Sequence, residues 1–173
     1  MTNSPLQEQL IDQIKDAHAM ETNVHAQLDK MIADTTDPSV LSDLKHHLDE
    51  TERHQKLLAD RLTAYDTDAG LVKELSGLFG AFGKAVVDGA KGTTSGQMAR
   101  DAYATEHFEI ATYQLLERTA QFAGDNKTVD VAQKNRADEE AMAKKISSNW
   151  DSFAALELAD HDVALDAEKS VPA

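Results

Sequence analysis

The chain has no cysteine. Disulfides, thiolate nucleophiles and every zinc or iron–sulfur site built on cysteine are therefore excluded, so any metal chemistry must come from carboxylates and imidazoles. Proline is nearly as scarce, at three in 173 residues. Seven of the eight glycines fall between residues 66 and 97, which leaves long stretches on either side without a helix breaker. Strand-like alternation of β-branched residues is also missing. Positive charge is in short supply: 17 Lys and Arg against 31 Asp and Glu give a net charge of −14. Such a surface repels phosphate backbones and anionic membrane faces, so neither nucleic acid nor membrane is expected as a partner, whereas cations are. No apolar run approaches the length of about eighteen residues that marks a membrane span, and "MTNSPLQEQL" has neither the basic nor the apolar region of a signal peptide. The expectation is one soluble, cytoplasmic domain, with 41% hydrophobic residues sufficing for a sizeable core.

What is present is helical periodicity, and it predicts an all-α fold. A first helix opens at "SPLQ", with Ser4 as N-cap, Pro5 at the first position and Gln7 completing a capping box. Its stripe runs Leu6, Leu10, Ile14, Ala17, Glu21, Val24, Leu28, Met31. A second opens at "DPSV", capped by Asp37, and continues to about Tyr65. The short joint makes the pair antiparallel neighbours. Within the glycine-rich segment, Leu71, Leu75, Leu78, Phe82 and Val86 keep helical spacing, which predicts a short amphipathic crossover helix packed on the bundle or on a second subunit. A third helix runs from Thr94 or Ser95 to a glycine cap at Gly124, and a fourth starts between Asp125 and Thr128 and continues through Trp150 and Phe153. Two hairpins joined by one long crossover between helices two and three form the ferritin-like version of the four-helix bundle. The expected boundaries are 1–153 for the bundle and 154–173 for an acidic, loosely ordered tail.

Every helix breaks its own apolar stripe near its middle with acid or imidazole. Glu21 interrupts the first; "HHLDETERHQ" places His47, Glu50 and His54 on one side of the second; Glu106 and Glu109 lie on the axis of the third. In the fourth, "ADEEAMA" puts Glu139 on the stripe and Glu140 beside it. Glu21 precedes Glu50 by 29 residues and Glu109 precedes Glu140 by 31, so the arms of each hairpin deliver carboxylates at nearly the same height. Carboxylates converging in an apolar bundle cannot all stay ionised without a cation, and oxygen and imidazole ligands suit hard or borderline metals. The bland alternative is that the acids snorkel outward and the histidines are solvated; His107, about 100° off the stripe, fits that description.

"HLDET" at 47–51, "EHFEIATY" at 106–113 and "DEE" at 138–140, together with Glu21 in "AHAMETN", resemble the YciF/YciE family of ferritin-like bacterial stress proteins over about residues 6–150. The resemblance implies a rubrerythrin-like bundle, a two-metal carboxylate centre holding iron or manganese, and a homodimer. Carried over by motif, the ligands are Glu21, Glu50, Glu106, Glu109 and Glu140. The chain departs from the family in having Arg53-His54 where a Gly-Gln pair is usual and Ala141 where a Lys is common. The Glu-x-x-His pattern of di-iron bundles is missing from the second and fourth helices, which makes His54, one turn beyond Glu50, the expected nitrogen ligand. The functional expectation is a metal-carboxylate protein with oxygen or peroxide reactivity. Its rival is a non-catalytic structural or interaction protein on the same bundle. A DNA-coating storage cage fits poorly with the acidic surface and the lack of a basic arm.

Overall fold

The structure, a computed structural model, describes residues 3–68 and 94–164. Among these, five helices and no strands occur: α1 (Pro5–Asp34), α2 (Pro38–Thr63), α3 (Ser95–Ala123), α4 (Asn126–Ser147) and α5 (Trp150–Asp160). Several helix ends follow local chemistry. Ser4 and Gln7 close the capping box of α1. The Asp37 carboxylate accepts from the amides of Ser39 and Val40 at the start of α2. Gly124, at φ 70°, ends α3, with the Asp125 amide returning to the Ala120 carbonyl; this left-handed position is one that glycine adopts without penalty.

α1 and α2 form one hairpin, α3 and α4 the other. Arg61 near the end of α2 binds Asp125 at the start of α4, and Lys145 near the end of α4 binds Asp43 near the start of α2. α2 and α4 are thus antiparallel, which makes α2 and α3 parallel, with the end of α2 and the start of α3 at opposite ends of the bundle. That connectivity is the ferritin-like one. The predicted crossover helix, with Leu71, Leu75, Leu78, Phe82 and Val86, lies outside the described residues, as does 165–173.

The apolar core is carried mainly by α1, through Leu10, Ile14, Ala17, Met20, Val24 and Leu28, against Leu44, Leu58 and Leu62 of α2, Leu116 and Ala120 of α3, and Ala132 of α4. Two expectations need correction at the C-terminal end. The fourth helix does not run through to Phe153: it stops at Ser147, and α5 begins at Trp150. Residues 154–160, expected as the start of a loose tail, are helical, and their acids have a task. Thr94 gives α3 no side-chain cap. Instead Glu157 Oε2 accepts from the Gly96 amide at 2.9 Å and Asp160 Oδ2 from the Ser95 amide at 2.8 Å, so α5 supplies the carboxylates that the N-terminus of α3 lacks.

Candidate metal centre

Halfway along the bundle the apolar layers give way to acid and imidazole. Glu21 of α1, His47 and His54 of α2, Glu106 and Glu109 of α3 and Glu139 of α4 are all buried, and each points inward because it falls on its helix's core stripe. His47 Nε2 lies 3.2 Å from Glu106 Oε1 and 3.7 Å from Glu139 Oε2. His54 Nδ1 lies 2.9 Å from Glu139 Oε1 and 3.4 Å from Glu21 Oε1. The ligand-capable atoms resolve into two groups, one of His47, Glu106, Glu109 and Glu139 and another of Glu21, His54 and Glu139, with each group's atoms within 4.8 Å of one another. Glu139 belongs to both.

The polar atoms of this cluster are under-satisfied. Glu21 Oε2, His47 Nε2, His54 Nδ1, Glu106 Oε2 and both oxygens of Glu109 and of Glu139 have no aligned hydrogen-bond partner among the described residues. His54 Nδ1 and Glu139 Oε1 stand 2.9 Å apart without the alignment of a hydrogen bond. One side is better organised. Tyr113 donates to Glu21 Oε1 and accepts from Asn135 Nδ2 at 3.0 Å, which fixes one carboxylate oxygen and leaves the other free. At position 51, three before His54, Thr51 donates its hydroxyl to the His47 carbonyl, so α2 contributes imidazoles and no carboxylate to the buried group.

The electrostatics record this crowding. Burial, reinforced by Glu139, Glu21 and Glu106, holds the Glu109 carboxyl well above the usual range. Burial also pushes Glu139 up, to about 7, against the opposing pull of His54 and with the help of Glu21 and Glu106. For His54 burial works against the charge, but the contacts with Glu139 and Glu21 outweigh it and raise the ring to about 10. His47 is raised in the same way, with Glu106 foremost. Protons held by these groups thus offset the repulsion among the buried carboxylates.

Of the residues expected from sequence, Glu21, His54, Glu106 and Glu109 are brought together. Glu140 is not: its side chain is 52% exposed and lies 3.2 Å from Arg136 Nε, while Glu139, one position earlier, takes the inward place. Helical periodicity had marked Glu139; the family motif had pointed to Glu140. Glu50 stands at the rim, 3.4 Å from His47 Nδ1, outside both groups. His47 was visible as a residue two turns from His54 on the same face, and it joins the cluster. Asn135, not singled out from the sequence, is buried on the inner face of α4, while Arg136 beside it binds Glu117. His107 is exposed and packs edge-on against Tyr103.

Fold and centre together define a ferritin-like helical bundle with a buried carboxylate–imidazole cluster. The family described as "Domain of unknown function (DUF892)" matches residues 5–159, and the chain belongs to that family. Similar solved structures include YcfI from Rhodopseudomonas palustris, 22% identical with a TM-score of 0.71, covering 83% of this chain and 94% of that one. The E. coli stress protein YciF is 18% identical with a TM-score of 0.71, covering 88% and 98%. A dodecameric thioferritin from Bacteroides fragilis is 20% identical with a TM-score of 0.66, covering 88% and 90%. The YciF-like, ferritin-like family suggested by the motifs is thereby established. No described helix is long and apolar enough to cross a membrane.

Proposed function

We propose that this protein binds two iron or manganese ions in its bundle, Glu21, His54 and Glu139 holding one and His47, Glu106, Glu109 and Glu139 the other. The observation that carries the reading is Glu109, fully buried with both oxygens unpartnered in the protein and aimed among three further carboxylates. Four carboxylates balance two divalent cations with both imidazoles neutral, and the mixed oxygen and nitrogen donors suit iron or manganese. Glu139 would be shared, while the Tyr113–Asn135 pair orients Glu21. Bound redox metals would supply one-electron chemistry toward oxygen or peroxide; the chain's own contribution is to exclude water and hold the donors on four rigid helices. A homodimer belongs to the same proposal; self-association is compatible with the dodecameric state of the fold relative from Bacteroides fragilis, and hydrodynamic mass tests the dimer.

One observation favours a second reading, a structural bundle without metal. The raised His54, His47, Glu109 and Glu139 let protons alone neutralise the cluster. Elemental analysis separates the two. Protein stripped with chelator and reloaded with iron(II) or manganese(II) is expected to hold about two ions per chain, and Glu139→Ala about none, because both groups lose a ligand. Wild type that binds no metal while keeping its helices by circular dichroism would overturn the metal reading in favour of the structural one.

A further inference from the structure

The cluster is sealed inside the bundle, so cations need a way in. Two partly exposed carboxylates touch its imidazoles, one from α4 and one from α2. Asp138 of α4 lies 3.1 Å from His54 Nε2, but its Oδ2 is also 2.6 Å from Arg53 Nη2. A guanidinium there occupies the oxygen and repels any approaching cation. Glu50 of α2 has no such clamp. Its Oε2 is 3.4 Å from Nδ1 of the buried His47 and its Oε1 is 3.4 Å from Nε2 of His46, whose side chain is 72% exposed. His47 then reaches the cluster through Nε2. The Glu50 side chain itself is 16% exposed, against 1% for His47.

We propose that Glu50 is the uptake carboxylate of the centre, taking a divalent cation from solvent at His46 and passing it beside His47 to Glu106 and Glu139, while Arg53 keeps the Asp138 side shut. The inference rests on the metal-binding reading above and gives Glu50 a kinetic part instead of a place among the resident ligands. A hydrated divalent ion gives up its waters only as other donors replace them, and one partly exposed carboxylate flanked by an outer and an inner imidazole offers that replacement stepwise. Nothing covalent changes: the ion exchanges ligands, and its charge stays the same.

The test is stopped-flow uptake of cobalt(II) by metal-stripped protein, followed by visible absorbance, with the final stoichiometry from elemental analysis. Glu50→Gln should fill to the wild-type stoichiometry but about tenfold or more slowly, within the range by which charge steers association. Arg53→Gln should load faster than wild type, and adding Asp138→Asn to it should bring the rate back. Unchanged kinetics in Glu50→Gln would overturn the uptake role and leave the metal centre standing. A lost equivalent in Glu50→Gln would overturn it differently, by making Glu50 a resident ligand. Wild type that takes up no cobalt(II) at all would overturn both readings together.

Discussion

Glu109 shows most directly how a side chain that opposes folding can persist in a core. Its carboxyl is fully buried with no protein partner for either oxygen, so it is tolerated in the metal-free state only by holding a proton. Glu109→Leu is therefore expected to stabilise metal-stripped protein by about 1–4 kcal/mol, as replacement of buried ionic groups by apolar ones often does, and to weaken metal binding. The same protons set a pH dependence. Glu109 and Glu139 have folded-state pKa values above the ordinary 4.5, so between that value and the folded one the native state binds more protons than the unfolded state, and stability falls as pH rises. For Glu139 that window runs to about 7. His54, raised from 6.5 to about 10, continues the trend: its contribution is complete below 6.5 and is lost as pH rises through about 10. Urea midpoints in chelator at pH 5, 7 and 9 should fall steadily, with a shallower fall in Glu109→Leu; a flat or rising series would contradict the charge assignment.

Among the helices, α5 is the one whose role is not apparent from its own pattern. It buries no residue fully, yet Glu157 and Asp160 satisfy amides at the start of α3, where the preceding Thr94 caps nothing. Gly96 makes this possible, since a Cβ there would lie 2.6 Å from Glu157 Oε2 and 2.9 Å from Glu157 Cβ. Alanine is the better helix former, by up to about 1 kcal/mol, but at this position it displaces the cap and forces an overlap. Gly96→Ala should therefore lower stability by about 1 kcal/mol, at the low end of overpacking costs. The sign should reverse in a Glu157→Gly background, where both Oε2 and Cβ of residue 157 are gone and propensity alone remains. Thermal melts of the four proteins in that cycle check both statements, and a stabilising Gly96→Ala in the wild-type background would refute the clamp.

For the molecule as a whole, the centre joins what the connectivity separates. α1 and α2 supply Glu21, His47 and His54; α3 and α4 supply Glu106, Glu109 and Glu139. An ion held by both hairpins binds the folded state alone, and each independent site at a hundredfold excess over Kd stabilises by about 2.7 kcal/mol. At this chain length each kcal/mol corresponds to roughly 2–4 °C in Tm. Calorimetry with manganese(II) should thus show a rise of about 5–10 °C per filled site. The rise should be largely absent in Glu139→Ala, which removes the one ligand common to both groups; an equal rise in that variant would place the ions elsewhere.

The four bundle helices, the caps that open α1 and α2 and end α3, and the pairing of α1 with α2 were determined by the sequence alone, the caps because they depend on contacts within three or four residues and the pairing because the joint is short. Ser4 with Gln7, Asp37 before Pro38 and Gly124 after Ala123 each satisfy or end a backbone ladder locally. Mid-helix carboxylates were also legible, since an acid on an apolar stripe stands out by period. Only the tertiary structure decided which acids share one chamber. A rotation of α4 by a fraction of a turn separates buried Glu139 from exposed Glu140 and buried Asn135 from Arg136, and the way neighbouring helices pack sets that angle. The capping of α3 by α5 depends on residues some sixty positions apart meeting in space, a kind of contact that leaves no periodic trace along the chain.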